Sequence, residues 1–112
     1  MSIASKTKEQ KIREKLVVWV AFNSKIEDFR TRAFAEHLCM NLDTDAGKAT
    51  YTNREFAADF NIAPASAHKY MRALIASGEW TVNPIAGRHT AYFPNFLPEI
   101  LEEIEAEDAG SN

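Results

Sequence analysis

Thr52-Asn53-Arg54-Glu55-Phe56-Ala57-Ala58-Asp59-Phe60-Asn61-Ile62, continued by Ala63 to Gly78, is the stretch on which the fold turns. Thr52 offers a hydroxyl at a helix-cap position. A short helix is therefore expected from Asn53 to Phe60. Phe56 and Phe60 stand one turn apart on one face, and Ala57 beside them is small enough to let another helix cross closely. Asn61 ends the helix where a tight turn needs positive φ, a conformation that Asn tolerates better than most residues. Ile62 plugs the turn into the core. A second helix follows with Pro64 in its first turn, where a missing N–H does no harm. It ends at Ser77-Gly78, with Gly supplying the left-handed terminal residue. Along it Ala67, Tyr70, Met71 and Leu74 recur at i, i+3, i+4 and i+7, the signature of a buried stripe. The opposite face then carries Ala65, Lys69, Arg72 and Ala76 at its centre, with Ser66 and His68 on its flanks.

Downstream, Trp80-Thr81-Val82 and the run Arg88 to Phe93 are β-prone arms joined by Asn83-Pro84-Ile85-Ala86-Gly87, the pattern of a hairpin. Pro94 and Pro98 break the chain before an acidic helix with Leu97, Ile100, Leu101 and Ile104 on one side. Upstream, Thr7-Lys8-Glu9-Gln10 has the spacing of a capping box, and it opens a helix from Lys8 to Asn23. Ser24-Lys25-Ile26-Glu27 repeats that spacing, which predicts a helix to about Leu42 with Ile26, Phe29, Phe34 and Leu38 on its apolar side. Asp43-Thr44-Asp45-Ala46-Gly47 is turn chemistry, and Ala49-Thr50-Tyr51 reads as a short extended piece.

Helix, three-to-four-residue turn, helix, hairpin is the order of a winged helix-turn-helix. The expected fold is mainly α with a small β-hairpin: that unit, with extra N-terminal and C-terminal helices. The 112 residues suit one domain with one core. Within it, 1–48 supplies the N-terminal helices, 49–94 the winged unit, and 95–112 the acidic helix and tail. The longest unbroken apolar run is the seven residues from Leu16 to Phe22, too short to span a bilayer. The N-terminus has no apolar signal region, so a cytoplasmic protein is expected.

The formal net charge is −3, but the acids are unevenly placed. Residues 1–48 balance at +2, residues 49–98 at +1, and residues 99–112 hold six acids and no base. The body is thus mildly basic and the acidity belongs to the tail. No acid interrupts the chain from Pro64 to Ser77. A helix that enters a DNA groove needs such a face: Lys and Arg neutralise phosphate or bond the guanine edge, Ser bonds either, and small residues permit close approach.

In residues 52–78 and in Gly87-Arg88-His89-Thr90-Ala91-Tyr92-Phe93 the chain resembles bacterial winged helix-turn-helix regulators, over roughly residues 50–94. The Gly-Arg-x-Thr-x-aromatic run is similar to the wings of the GntR-like group. The resemblance implies that Ser66, His68, Lys69 and Arg72 face bases and phosphates. It also implies that Arg88 and His89 sit where a wing meets the minor groove or the backbone. The expected partner is double-stranded DNA, and the expected role is that of a small transcriptional regulator without an enzymatic activity or a cofactor. Short stand-alone proteins of this kind resemble those of phages and plasmids, where replication or partition roles are the alternative. A winged fold used to bind a protein partner is the rival reading, with Glu99 to Asp108 in the contact surface.

Other chemistry finds less support. Cys39 is the lone cysteine, and His37 near it has no third ligand or orienting partner at a usable spacing. Asp43 and Asp45 belong to a turn. Thr31 to Leu38 offers a second register for a helix-turn-helix, but the segment after it, through Asp43 and Gly47, has no basic face. The apolar girth of the first helix is different in kind. Leu16, Val17, Val18, Trp19, Val20 and Phe22 are more than a small core covers at once, which predicts a homodimer interface.

Overall fold

The computed structural model describes residues 7–84 and 89–110. The chain begins with α1 (Lys8–Asn23), whose capping box forms as expected. Gln10 donates its N–H to the Thr7 hydroxyl at 3.1 Å, and the Thr7 N–H returns to the Gln10 side chain at 2.9 Å. Ile12, Leu16 and Val20 are the buried stripe of this helix.

The second helix departs from its sequence reading. α2 (Phe29–Met40) starts four residues later than the Ser24 box predicts, and its N-cap is Asp28. The Asp28 carboxylate accepts from the Thr31 N–H at 2.9 Å and from the Thr31 hydroxyl at 2.7 Å. Ser24 is engaged elsewhere: its hydroxyl donates to buried Glu79 at 2.6 Å, and the Lys25 N–H donates to the other Glu79 oxygen at 2.7 Å. This clasp holds the α1–α2 connection extended. Phe29, expected on the apolar side, is 82% exposed because it stands at the first position after the cap. The far end stops two residues short of Leu42, at an Asn41 cap, and Arg13 donates to the freed Leu42 carbonyl at 3.0 Å.

After an Asp43–Lys48 turn come β1 (Ala49–Thr52), α3 (Asn53–Phe60), α4 (Pro64–Ser77), β2 (Trp80–Pro84), β3 (His89–Pro94) and α5 (Leu97–Gly110). The expected hairpin is present, with Trp80 opposite Pro94 and Val82 opposite Tyr92. It is part of a larger sheet than the sequence suggests. β1 pairs antiparallel with β3, Ala49 opposite Tyr92 and Tyr51 opposite Thr90, so the strand order is β1-β3-β2. The protein is mainly helical with a small three-stranded antiparallel sheet.

One hydrophobic cluster joins these elements, running from Ile12 to Ile104. Phe34 of α2 lies at its centre, stacked on Phe56 with ring centroids 3.2 Å apart and in reach of Phe60, Tyr70 and Tyr92. α5 packs on α1 through Ile100 and Ile104. Trp19 lies flat on Phe96 at 3.9 Å and donates its indole N–H to Glu99 at 2.8 Å. Burial on this scale is worth about 1.5–3 kcal/mol for each large apolar side chain.

The first helix therefore divides in a way that its sequence does not show. Leu16 and Val20 have no exposed surface, so these two of the six expected interface residues are monomer core. Val17 and Trp19 are partly covered against that core. Val18 and Phe22 remain 53% and 81% exposed.

Candidate nucleic-acid interface

Local chemistry sets the α3–α4 geometry. Thr52 caps α3 with its hydroxyl on the Glu55 N–H at 3.0 Å, and Glu55 reaches back to the Thr52 N–H at 3.4 Å. Asn61 adopts φ 52° and ψ 49°, the left-handed conformation its sequence position calls for. The chain reverses there, and the Ile62 N–H donates to the Ala57 carbonyl at 2.9 Å. Only residues 61–63 separate the two helices. Gly78 ends α4 with φ 76°.

α4 buries Ala67, Tyr70 and Leu74, with Met71 and Ala73 half-buried. That fixes the outward face. Ala65, His68, Lys69, Arg72 and Ala76 are exposed and Ser66 is half-buried, as the periodicity predicts. Three cationic or hydrogen-bonding side chains thus share one solvent-facing surface with two alanines. Ile75 lies among them and is 50% exposed, an apolar element that the helical periodicity does not single out. His89 is exposed at the start of β3, and Arg88 lies outside the described residues.

The fold also brings α2 to this face. The Asp28 carboxyl is held below its ordinary value, first by the Thr31 hydroxyl, then by the Thr31 N–H, with Lys69 and Arg30 adding to the effect. Lys69 therefore has an acid as a neighbour, although α4 itself carries none. Phe29 and Arg30 line a groove with Asn61, Ile62 and Tyr70, so the start of α2 adjoins the α3–α4 turn. Periodicity within α4 cannot reveal any of this, because Asp28 and Lys69 are brought together by tertiary packing.

The remaining polar candidates have structural partners. His37 Nε2 lies 3.2 Å from both the Asp59 carboxylate and the Tyr51 hydroxyl, tying α2 to α3 and β1. Burial raises the Tyr51 phenol, and Asp59 and Glu55 add to the rise. Cys39 is fully buried, and that burial pushes its thiol far above the range where a thiolate forms. Among the described residues no three His, Cys, Asp or Glu side chains gather as a metal site would require, and no helix is long and apolar enough to cross a membrane.

No protein-family model, no curated protein and no solved structure matches the chain.

Proposed function

We propose that residues 49–94 form a winged helix-turn-helix that binds double-stranded DNA, with α4 entering the major groove and the β2–β3 hairpin as the wing. The observation that carries this reading is the outward face of α4: His68, Lys69 and Arg72 exposed together, with no acid on the helix. The three-residue turn at Asn61 and the β1-β3-β2 sheet behind α4 support it, since they brace a helix that is free on one side. Lys69 and Arg72 would contact phosphate or guanine, Ser66 and His68 the flanking positions, and Ile75 a thymine methyl group. His89, with Arg88, would meet the backbone beside the wing. The chain is read as a small cytoplasmic regulator of transcription that acts by occupying DNA.

Fluorescence anisotropy with labelled random-sequence duplexes at 50 and 200 mM salt tests this. Lys69→Ala with Arg72→Ala leaves the fold intact, because both side chains are exposed. It costs about 1–3 kcal/mol of affinity where one of them makes a base contact, and reduces the magnitude of the salt slope by about 0.9 for each phosphate no longer neutralised. Unchanged binding by the folded double variant removes α4 from the interface. No salt-dependent binding by the wild type, to any duplex, overturns the proposal.

A further inference from the structure

Between the start of α2 and the α3–α4 turn lies a groove lined by Phe29, Arg30, Phe60, Asn61, Ile62 and Tyr70. Among the described residues no carboxylate lines it. Other concave surfaces of the protein are different in this respect. The α1–α5 groove carries Glu103 and Glu107, the α1–α2 groove Glu14, and the cleft between the ends of α1 and α4 both Glu79 and Glu99. Asp28 precedes Phe29, but its carboxylate is turned to the Thr31 N–H and hydroxyl as the cap of α2.

The groove presents hydrogen-bond donors and ring surface. Arg30 and Asn61 are exposed, and neither side chain makes a hydrogen bond among the described residues. A guanidinium can only donate, and an amide can turn its NH2 toward a ligand. Donors without an acid beside them suit a ligand that is anionic and rich in acceptors. Phe29, 82% exposed at the same edge, adds an apolar ring that such a ligand must also cover. A sugar–phosphate strand has both parts, acceptor oxygens and the apolar face of a deoxyribose.

The place of the groove in the fold points the same way. Asp28 has Lys69 of α4 and Arg30 of α2 as its cationic neighbours, so the groove continues the outward face of α4. A helix lying in the major groove has a phosphate strand on either side of it. The hairpin leaves α4 at its C-terminal end through Gly78, whereas this groove borders the turn at its N-terminal end.

We propose that this groove seats the phosphate strand on the side of α4 away from the wing, with Arg30 and the Asn61 amide on phosphate oxygens and Phe29 against a deoxyribose. The proposal rests on the reading of α4 given above and adds the start of α2 to that interface. Contacts of this kind set how α4 lies in the groove and carry no sequence information themselves.

Anisotropy titrations of the full chain with labelled random-sequence duplexes, over a series of salt concentrations, test it. Arg30→Ala weakens binding about fivefold at 150 mM salt and lowers the magnitude of the salt slope by about 0.9, one phosphate's worth. The loss is equal on AT-rich and GC-rich pools, and Arg30→Lys keeps the slope. Asn61→Gly, which suits φ 52°, loses about two- to tenfold in affinity with the slope unchanged, because the amide is neutral. Lys11→Ala removes an equally exposed cation from α1, stays within about twofold of the wild type, and so measures any diffuse effect of charge. A wild type that binds, and is weakened by Lys69→Ala with Arg72→Ala, while Arg30→Ala behaves as Lys11→Ala does, overturns this proposal and leaves α4 in place. A wild type that binds no duplex overturns both.

Discussion

Asp28→Asn isolates one charge at the edge of the α4 face while leaving the helix cap in place. Asp28 caps α2 through Thr31, and Asn accepts the same bonds with nearly the same preference at an N-cap. What changes is the charge beside Lys69 and Arg30, which add to the larger effect of the Thr31 hydroxyl and N–H in holding the Asp28 carboxyl low. If Lys69 meets a phosphate, Asp28 opposes that contact by competing for the same cation. Exposed pairs of this kind are weak, so removing the acid tightens DNA binding by about two- to fivefold rather than by orders of magnitude. The salt slope steepens by at most about 0.9, one phosphate's worth, as Lys69 comes into full play. The pH dependence has a definite sign. A carboxyl lowered on folding stabilises the folded state above its unfolded pKa, and that contribution is lost as pH falls through its lowered folded value. Between pH 6 and 8 the wild type and the variant should therefore differ by a constant factor, as far as Asp28 is concerned. Anisotropy titrations at three salt concentrations, with thermal melts as the control for folding, measure all of this. Equal affinities and equal slopes for wild type and variant would refute the placement of Lys69 on phosphate.

Three further outcomes are expected. Asn61→Gly leaves stability within a few tenths of a kcal/mol, whereas Asn61→Val costs about 1–2 kcal/mol in urea unfolding, because only the valine opposes φ 52°. Glu79→Ala leaves the Ser24 hydroxyl and the Lys25 N–H without their acceptor, so unfolding free energy falls by about 1–3 kcal/mol, while a surface carboxylate such as Glu105 tolerates the same change. Neutralising the exposed acids Glu102, Glu105 and Asp108 to amides shifts DNA affinity by less than about twofold at 150 mM salt, whereas deleting residues 99–112 lowers the melting temperature because Ile100 and Ile104 leave the core.

How far the sequence could be read depended on how local each signal was. α1, α3 and α4 have the limits their caps predict, because Thr7 with Gln10, Thr52, Asn61, and Pro64 with Gly78 all act within a turn or two of their own positions. The same reasoning misplaces the start of α2. Ser24 has the spacing of a cap, but its hydroxyl is taken by Glu79, which lies 55 residues on in sequence, between α4 and β2. The hairpin is legible, whereas the pairing of β1 with β3 depends on a strand 40 residues away. Periodicity sorts α4 into core and exposed faces correctly and places Ser66, His68, Lys69 and Arg72 on the outward side. It treats the apolar girth of α1 too generously, since α2 and α5 close over Leu16 and Val20 and leave only Val18 and Phe22 well exposed. The acid beside Lys69 had no sequence signal at all.

A net charge of −3 is a poor guide to what such a chain can bind, and the packing order gives the reason. The acids of the tail project from α5, whose packing is with α1, while α4 packs on α2, α3 and β2. Glu99 lies near the C-terminal end of α4, in one cleft with Ser77 and Gly78, while charges further along α5 are screened over about 8 Å at physiological salt. Some of the tail's charge is also neutralised close to home, since Lys15 holds Glu107 at 2.7 Å and Glu103 at 3.9 Å. A ligand at α4 therefore meets the local field of His68, Lys69, Arg72, Arg30 and Asp28, in which cations outnumber acids. Local placement of charge decides which partner the surface admits, and the total decides little beyond solubility.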